Sequence, residues 1–388
     1  MIEAPLRVAI AGAGMVARLH LDAARRAGAR VVGVCASTPE RGKAAAERFG
    51  LERSFDSAEE LVTGDAADVV HICTPNASHF RLAELALRAG KHVVCEKPLA
   101  TTGGEADALV ELARGSGLIA AVPFVYRYHP MAAEARARVH GGFVGDVRLI
   151  HGHYLQDWLS EPGDNNWRVD PRQGGASRAF ADIGSHWCDL VEWISGHRIS
   201  ALIAEAQTVL PVRYGSGRET FTGPDAGAGH GEAGGGTEVT TEDAVQVLFR
   251  TDRGASGTLT VSQVSPGRKN RLWLEIDGAG ASLAFDQENP ESLFAGSRAG
   301  NARLLRDSAL LSPEAARLSV LPPGHPMGYA DCFAGFVADV YAAIRAESST
   351  GQDSAPAFPT FGDAARTVRL TEAVLRSARS RSWIEVPR

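Results

Sequence analysis

From residue 6 to about residue 125 the chain alternates short apolar runs with amphipathic stretches that stop at glycine. Leu6–Ala11, Val31–Cys35, Val69–Cys73, His92–Cys95 and Leu118–Phe124 predict strands. Residues 15–27, 39–49, 77–89 and 103–114 carry helical periodicity, and Gly28, Gly50 and Gly90 close the first three. Strands and helices that alternate in this way build right-handed βαβ units around a parallel sheet.

The period changes after Pro130. Residues 131–140 predict one more helix. Further on, Ala255, Gly257, Leu259 and Val261 alternate with Ser256, Thr258, Thr260 and Ser262. Leu272, Leu274 and Ile276 alternate with Trp273 and Glu275. Period two over several runs predicts an antiparallel sheet with one covered face. Trp273 falls on the other face, which suits a sheet whose outer side is buried against a second subunit. Residues 223–236 hold seven glycines in fourteen positions, the composition of a flexible loop, lid or surface insertion. Phe333, Phe336, Val337, Val340 and Ile344 follow helical spacing, and a second helix is expected over about 362–380. Both late helices are expected to return and pack on the first domain.

A chain of 388 residues has room for two domains. They are expected at 1–126, an α/β unit with a doubly wound parallel sheet, and at 127–388, an α+β unit with an open, mainly antiparallel sheet. A composition of 44% hydrophobic and 22% charged residues fits a soluble globular protein. The formal charge of −6 argues against a protein that coats nucleic acid or anionic membrane. No apolar run reaches the ~18–20 residues needed to span a bilayer. The first residues carry neither a basic stretch nor a signal-type apolar run, so a cytoplasmic protein is expected. Cys35, Cys73, Cys95, Cys188 and Cys332 are scattered, as small core residues in a reducing compartment would be. No Cys/His spacing matches a zinc site, and no metal is expected.

Candidate chemistry begins at Gly12-Ala13-Gly14-Met15-Val16-Ala17, which follows the first strand and opens the first helix in the pattern G-x-G-x-x-A. Gly12 allows a tight turn, Gly14 lets the backbone approach a pyrophosphate, and Ala17 permits close helix–strand packing. The helix start at Met15 and Val16 would offer free N–H groups to the phosphates. The acid that holds an NAD ribose about 20 residues further on is missing, and Ser37 stands there instead. Ser37, Thr38 and Arg41 suit a 2′-phosphate and favour NADP over NAD. A Glu40–Arg41 pair would weaken that preference, and Arg41 also reads as a solvated residue of the helix's first turn. Thr74-Pro75-Asn76, with His79 three residues on, lies at the same sheet edge. Asn76 either caps the next helix or walls a nicotinamide pocket.

Glu96-Lys97-Pro98 follows the strand His92–Cys95. A lysine at the C-terminal tip of a parallel strand sits where open α/β sheets bind their ligands. There it can touch both a cofactor and a substrate oxygen, and Pro98 biases it away from helical geometry. Oxidising a secondary alcohol removes a hydroxyl proton as hydride leaves the same carbon. A base must take the proton and a cation must stabilise the developing alkoxide. Asp182 and His186 are four residues apart and share one face if 182–194 is helical. An unperturbed imidazole titrates at about 6.5, close to what a base requires at neutral pH.

These pieces together resemble the Gfo/Idh/MocA family, the glucose–fructose oxidoreductase and inositol dehydrogenase group. The matching residues are Gly12-Ala13-Gly14, Thr74-Pro75-Asn76, Ala89-Gly90-Lys91-His92 leading into Glu96-Lys97-Pro98, Tyr126-Arg127-Tyr128, Val144-Gly145-Asp146-Val147 and Asp182-Ile183-Gly184-Ser185-His186. Tyr154-Leu155-Gln156-Asp157-Trp158 and Asn166-Trp167-Arg168 are similar to the subgroup containing levoglucosan dehydrogenase and some inositol dehydrogenases. The resemblance implies a Rossmann domain, then an open antiparallel sheet that supports homodimers or homotetramers. It also implies a substrate site lined by Lys97, Asp182 and His186.

On that basis His186 is expected to be the general base. Lys97 is expected to bind the reacting oxygen, and Asp182 to orient the substrate and the lysine. Duller roles stay open for each: a helix N-cap for Asp182, a core histidine for His186, an ion pair with Glu96 for Lys97. Tyr126, Arg127, Gln156, Trp158, Trp167 and Arg168 are substrate-pocket candidates, because sugars present apolar C–H faces and hydroxyl edges. The two tryptophans fit ordinary packing as well, and Arg127 fits a domain-bridging salt bridge. The expected activity is NAD(P)-dependent hydride transfer at a secondary alcohol of a sugar, anhydrosugar or cyclitol such as inositol. Ketosugar reduction would use the same residues. A non-catalytic cofactor-binding regulator, or glycoside cleavage through oxidation, elimination and re-reduction, are the competing readings.

Overall fold

The computed structural model describes residues 4–214, 236–350 and 356–387. Strands β1 (Arg7–Ala11), β2 (Arg30–Cys35), β3 (Val69–Ile72), β4 (His92–Cys95) and β5 (Ala120–Ala121) form a wholly parallel sheet in the order β2-β1-β3-β4-β5. Helices α1 (Met15–Arg26), α2 (Pro39–Phe49), α3 (Ala58–Thr63), α4 (His79–Arg88) and α5 (Gly103–Ser116) lie between or after them. Strand order reverses between β1 and β3, and that reversal opens a crevice at their C-terminal tips. Gly12 turns the chain there at φ +108°, and a Cβ on it would stand 2.4 Å from the Cys73 carbonyl oxygen. Only glycine fits that approach.

The run 118–124 makes a shorter strand than its apolar content suggests. Beyond Ala121 the Val122 N–H donates to the Pro359 carbonyl at 3.0 Å, and the chain then enters a 3₁₀ turn over Val125–Tyr128. The returning C-terminal segment has taken the ladder's place.

The second sheet holds β6 (Val147–Leu155), β7 (Ile199–Gln207), β10 (Ala244–Thr251), β11 (Ser256–Ser262), β12 (Arg271–Gly278), β13 (Ala281–Asp286), β14 (Ser292–Ser297), β15 (Gly300–Leu305) and β16 (Ile384–Glu385). Between β7 and β10, strands β8 (Val212–Tyr214) and β9 (Gly236–Glu238) pair separately. The order is β15-β14-β13-β12-β6-β11-β10-β7-β16, antiparallel except for the β6–β11 pair. Except for Gly236, the glycine-rich stretch 223–236 lies outside the described residues.

Helices α6 (Pro130–His140), α7 (Pro171–Gly174), α8 (Ser185–Ser195), α9 (Pro313–Leu318), α10 (Tyr329–Thr350) and α11 (Phe361–Ser380) complete the chain. Leu259, Val261, Leu272, Leu274 and Ile276 turn inward, where Trp187, Leu190 and Ile194 of α8 cover them. Gly152 on β6 lets the Trp187 indole lie against the sheet and donate to the Trp273 carbonyl at 2.9 Å. Phe333, Phe336, Val337 and Val340 of α10 cluster with Val8, Val69 and Val94 on one face of the parallel sheet. Phe361, Ala364 and Val368 of α11 cluster with Val93, Val122 and Leu109 on the other. Each fully buried large apolar side chain contributes about 1.5–3 kcal/mol. Among the described residues no helix is long and apolar enough to cross a membrane.

Candidate active site

The tip of β1 leads through Gly12 and Gly14 into α1. Gly14 is the N-cap, extended and without a side-chain cap, and nothing lies within 4 Å of where its Cβ would be. The first N–H groups of this twelve-residue helix have no intrahelical or side-chain cap partner. With the helix dipole they form a cradle for a pyrophosphate, flanked by Met15 and Val16. Arg48 braces the turn by donating to the Ala13 carbonyl at 2.9 Å.

At the tip of β2, Arg41 donates to Ser37 Oγ at 3.2 Å, and Thr38 caps α2 by accepting from the Arg41 N–H. Glu40 does not engage Arg41. Its own backbone, Thr38 and Lys43 hold its carboxyl below the usual range. At the tip of β3, Thr74 Oγ1 lies 2.6 Å from Ser78 Oγ, above the turn at Pro75. Asn76 does not cap the next helix, whose N-cap is Ser78. Its side-chain amide donates to the Gly174 carbonyl at 2.9 Å, which ties this tip to α7. His79 is buried, with ring nitrogens 2.7 Å from the Pro98 carbonyl and 2.8 Å from the Thr74 carbonyl. It braces the two turns by bridging their carbonyls.

Lys97 stands at the tip of β4, before a cis peptide to Pro98. Its Nζ donates to Asp182 Oδ1 at 2.6 Å and to the Asp182 carbonyl at 2.9 Å. Glu96 is not its partner. That carboxylate is buried, with Oε1 3.1 Å from His20 Nε2 and Oε2 accepting from the Lys97 N–H. His20 Nδ1 lies 2.8 Å from His71 Nδ1, and His71 Nε2 lies 2.8 Å from the Tyr341 hydroxyl. Tyr341, His71, His20 and Glu96 thus form one buried polar chain under the strand tip.

Asp182 lies within a π turn, Phe180–Gly184, that precedes α8. The extra residue per turn, not a regular helix over 182–194, sets how Asp182 and His186 project. The N-cap reading of Asp182 fails, because its carboxylate is spent on Lys97, on Arg168 Nε at 3.4 Å and on Gln263 Nε2 at 2.9 Å. Burial alone would raise this carboxyl, but the charges of Lys97 and Arg168 outweigh it and hold Asp182 well below the usual range. His186 is 5% exposed, with its ring edge-on to Tyr126 at 5.0 Å and Phe124 at 5.6 Å. Its Nδ1 has no hydrogen-bond partner among the described residues. The near-neutral value expected from the sequence is not kept. Burial and the Lys97 charge push His186 down to about 3, against the pull of Glu96 and Asp182.

The other substrate-pocket candidates divide. Arg168 reaches Asp182, and its guanidinium lies over the Trp167 ring at 4.4 Å. Tyr126, Tyr154, Gln156 and Trp158 join one network. Tyr126 OH lies 2.6 Å from Tyr154 OH, Asn270 Oδ1 accepts from Tyr154 and Gln156, and Trp158 Nε1 donates to Gln156 Oε1 at 2.8 Å. Arg127 is placed elsewhere. It grips Asp189 at 2.5 Å and Asp363 at 2.9 Å, and so joins the turn after β5 to α8 and α11.

Behind this wall lies a buried ionic knot. Arg178 and Arg213 both pair with Asp243, and all three side chains are essentially inaccessible. Arg213 also donates to the carbonyls of Leu159, Glu161 and Asp164. Glu242 Oε1 accepts from Ser177 Oγ and from the N–H groups of Arg178 and Phe180. The knot fixes the loop after β6 and the entry to the π turn. Gln263, Asn270, His20, His71 and Arg213 were not picked out from the sequence. A histidine inside each of the runs Leu19-His20-Leu21 and Val70-His71-Ile72 was the available signal for two of them.

A glycine cradle at the strand-order reversal, with a paired lysine at the tip two strands away, defines the class as a dinucleotide-binding oxidoreductase. Residues 6–124 match the oxidoreductase family with an NAD-binding Rossmann fold, and residues 132–284 match the GFO/IDH/MocA C-terminal domain. The chain belongs to the Gfo/Idh/MocA family, and it is an NAD-binding oxidoreductase. It is 30% identical over 371 residues to levoglucosan dehydrogenase of Pseudarthrobacter phenanthrenivorans, spanning 91% of this chain and 89% of that protein. Levoglucosan dehydrogenase in complex with NADH and levoglucosan superposes with a TM-score of 0.85 at 28% identity, covering 99% of this chain and 100% of the other. An inositol dehydrogenase homologue from Azotobacter vinelandii in complex with NAD⁺ gives a TM-score of 0.85 at 26% identity, covering 98% and 97%.

Proposed function

We propose that this chain transfers hydride between a nicotinamide cofactor and a secondary hydroxyl of a sugar, anhydrosugar or cyclitol. The observation that carries the reading is the Lys97 ammonium held 2.6 Å from Asp182, electrostatically coupled to a neutral His186 at the end of the cofactor crevice. When bound, the nicotinamide accepts hydride from the carbinol carbon or returns it. Lys97 binds the reacting oxygen and stabilises negative charge as it develops there. Asp182 aims Lys97, and is itself aimed by Gln263 and Arg168. His186, kept in the neutral form, accepts the hydroxyl proton, and the Asp182 and Glu96 carboxylates offset part of the cost of its cation. Tyr126, Gln156, Trp158, Trp167 and Arg168 supply ring faces and polar edges to the sugar. The levoglucosan and inositol names of the similar proteins support an anhydrosugar or cyclitol within this class.

The cofactor reading extends to NADP. NAD complexes of similar proteins support NAD, while Ser37, Thr38 and Arg41, with no acid engaging Arg41 among the described residues, suit a 2′-phosphate as well. The outer face of the second sheet carries Leu149, Leu248 and Phe294, each at least 38% exposed, and supports assembly into a homodimer or homotetramer. A cytoplasmic location completes the reading.

The test is reduction of NAD⁺ and NADP⁺, followed by nicotinamide absorbance, across inositols, monosaccharides and levoglucosan. One polyol is expected to turn over. Lys97→Met keeps the stem, removes the charge, and is expected to lower kcat by about 10³-fold or more. A fully active Lys97→Met enzyme would sink this assignment.

A further inference from the structure

Four polar side chains from separate parts of the fold meet in the core beneath the site: His20 on α1, His71 on β3, Glu96 just past β4 and Tyr341 on α10. His20, His71 and Tyr341 are fully buried, and Glu96 is nearly so. Apolar groups surround them. The Phe333 ring stands edge-on to His20 at 4.7 Å, in a cluster that also holds Val69, Val94 and Phe336. Burying polar groups costs free energy, and apolar side chains of the same volume would dock α10 as well.

The directions of the hydrogen bonds follow from the end of the chain. Burial alone would raise the Glu96 carboxyl, but His20, Lys97 and His186 outweigh it and hold it below the usual range. A carboxylate only accepts, so His20 Nε2, 3.1 Å away, carries the proton of that bond. Burial, with His20 beside it, pushes His71 well below the ordinary imidazole range, so this ring carries a single N–H. With one N–H on each ring, His71 Nδ1 donates to His20 Nδ1 and the Tyr341 hydroxyl donates to His71 Nε2, both at 2.8 Å. Every donor then points toward Glu96. The second oxygen of Glu96 accepts from the Lys97 N–H at 3.2 Å. The same carboxylate is within electrostatic reach of His186 and favours its charged form.

We propose that His20, His71 and Tyr341 are positioning residues for proton transfer: through Glu96 they fix the backbone of Lys97 and hold a buried anion that favours the imidazolium formed when His186 takes the substrate's hydroxyl proton. The inference rests on the hydride-transfer reading above. Asp182 aims the ammonium of Lys97, and Glu96 fixes the backbone of the same residue. His20 also ties the helix that starts at the glycine cradle to the strand tip that carries Lys97, so cofactor and lysine keep one spacing. The proton moves from the hydroxyl to His186, hydride leaves the same carbon for the nicotinamide, and no proton travels along the chain. Charge already in place before the reaction needs no reorganisation during it, which is what lowers the barrier.

The test compares the full-length parent with Glu96→Gln, His71→Leu and Tyr341→Phe, using the polyol and cofactor that the parent turns over. Glu96→Gln keeps the shape and removes the charge, and is expected to lower kcat by about 10²-fold with KM within about threefold. Smaller losses are expected further from the site, about tenfold for His71→Leu and about threefold for Tyr341→Phe, which removes one oxygen. The solvent isotope effect on kcat is expected to rise in all three, because proton transfer becomes the slower step. A merely structural role would leave it unmoved. Glu96→Asp keeps the charge and is expected to recover part of the Glu96→Gln loss. Should Glu96→Gln or His71→Leu not fold, Tyr341→Phe still gives both readings. Folded variants with the parent's kcat and isotope effect, or losses confined to stability or KM, would overturn this inference and leave hydride transfer standing. A parent that turns over no polyol with either cofactor would overturn the hydride-transfer reading, and this inference with it.

Discussion

The cofactor side and the substrate side of the cleft are built by different means. On the cofactor side the backbone dominates: Gly12 and Gly14 shape a turn, and the first N–H groups of α1 carry no side-chain cap. Each contributing segment is contiguous and follows directly from a strand tip. On the substrate side, side chains from distant stretches, among them Lys97, Tyr154, Arg168 and Gln263, converge on Asp182, His186 and Tyr126. Their positions come from interactions behind them: Asp243 with two arginines, Gln263 on Asp182, and Tyr126 edge-on to His186. The first kind of site tolerates change outside its short motif. The second depends on residues that stand behind those side chains.

The largest expected effect of breaking that contrast falls on the buried knot. Asp243→Asn leaves Arg178 and Arg213 buried without their shared carboxylate. Breaking a buried ion pair by removing one partner costs about 3–5 kcal/mol. The expected outcome is a fall of that size in unfolding free energy by denaturant titration. A comparable change on the cofactor side, Arg48→Met, loses one hydrogen bond from an exposed guanidinium to the Ala13 carbonyl, and is expected to cost about 1 kcal/mol or less. Equal losses from the two substitutions would remove the contrast.

The same difference explains what could be read from the sequence. Gly12, Gly14 and Lys97 were legible because their chemistry is tied to local order, strand then turn then helix. The alternating runs of β11 and β12 showed their buried faces for a similar reason. Gln263, Asn270 and Arg213 lie in no periodic pattern, and their partners are remote in the chain, so nothing local marks them. His20 and His71 interrupt apolar runs, which reads as core until Glu96 and Tyr341 are seen beside them. Arg127 read equally as a pocket residue and as a domain-bridging salt bridge, and only the fold names Asp189 and Asp363 as its partners. The π turn at Phe180–Gly184 was invisible because a four-residue spacing alone reads as an ordinary helix.

A middle-sized effect is expected from Gln263→Leu. The side chain touches Asp182 Oδ2 and, in the proposed reaction, no reacting atom. Removing it frees the carboxylate to turn away from Lys97 while leaving both charges in place. The expected result is a 10–100-fold loss in kcat with a smaller change in KM, of about 1–3 kcal/mol in the barrier. Gln263→Glu, which sets two carboxylates together, is expected to lose more. A change confined to KM would mean that Gln263 serves binding and not alignment.

Arg41→Ala is expected to act more gently, and on the cofactor side only. Arg41 is exposed and meets Ser37 at the tip of β2. If it also meets a 2′-phosphate, its loss weakens NADP binding by about tenfold, one charge-assisted hydrogen bond, and leaves NAD binding nearly unchanged. Equal weakening of both cofactors would assign Arg41 to shaping the turn.

The smallest expected change is the most telling about the base. His186 in the native protein is pushed down to about 3 by burial and by Lys97. An imidazole in the unfolded chain titrates at about 6.5. Between those values the unfolded chain binds a proton that the native protein refuses, so stability falls as pH drops below about 6.5. His129, pushed down to about 4 by burial, and buried His71 and His79 add to the same slope. Catalysis should not follow that curve. With a value near 3, His186 is neutral above about pH 5, so kcat/KM is expected to show no acid limb near 6.5 from this residue. Ring nitrogen signals of His186 in an NMR titration should stay those of a neutral imidazole from pH 8 to 5. A His186 that titrates near 6.5 would show that Lys97 and burial do not control it, and would return it to the ordinary base that its spacing from Asp182 first suggested.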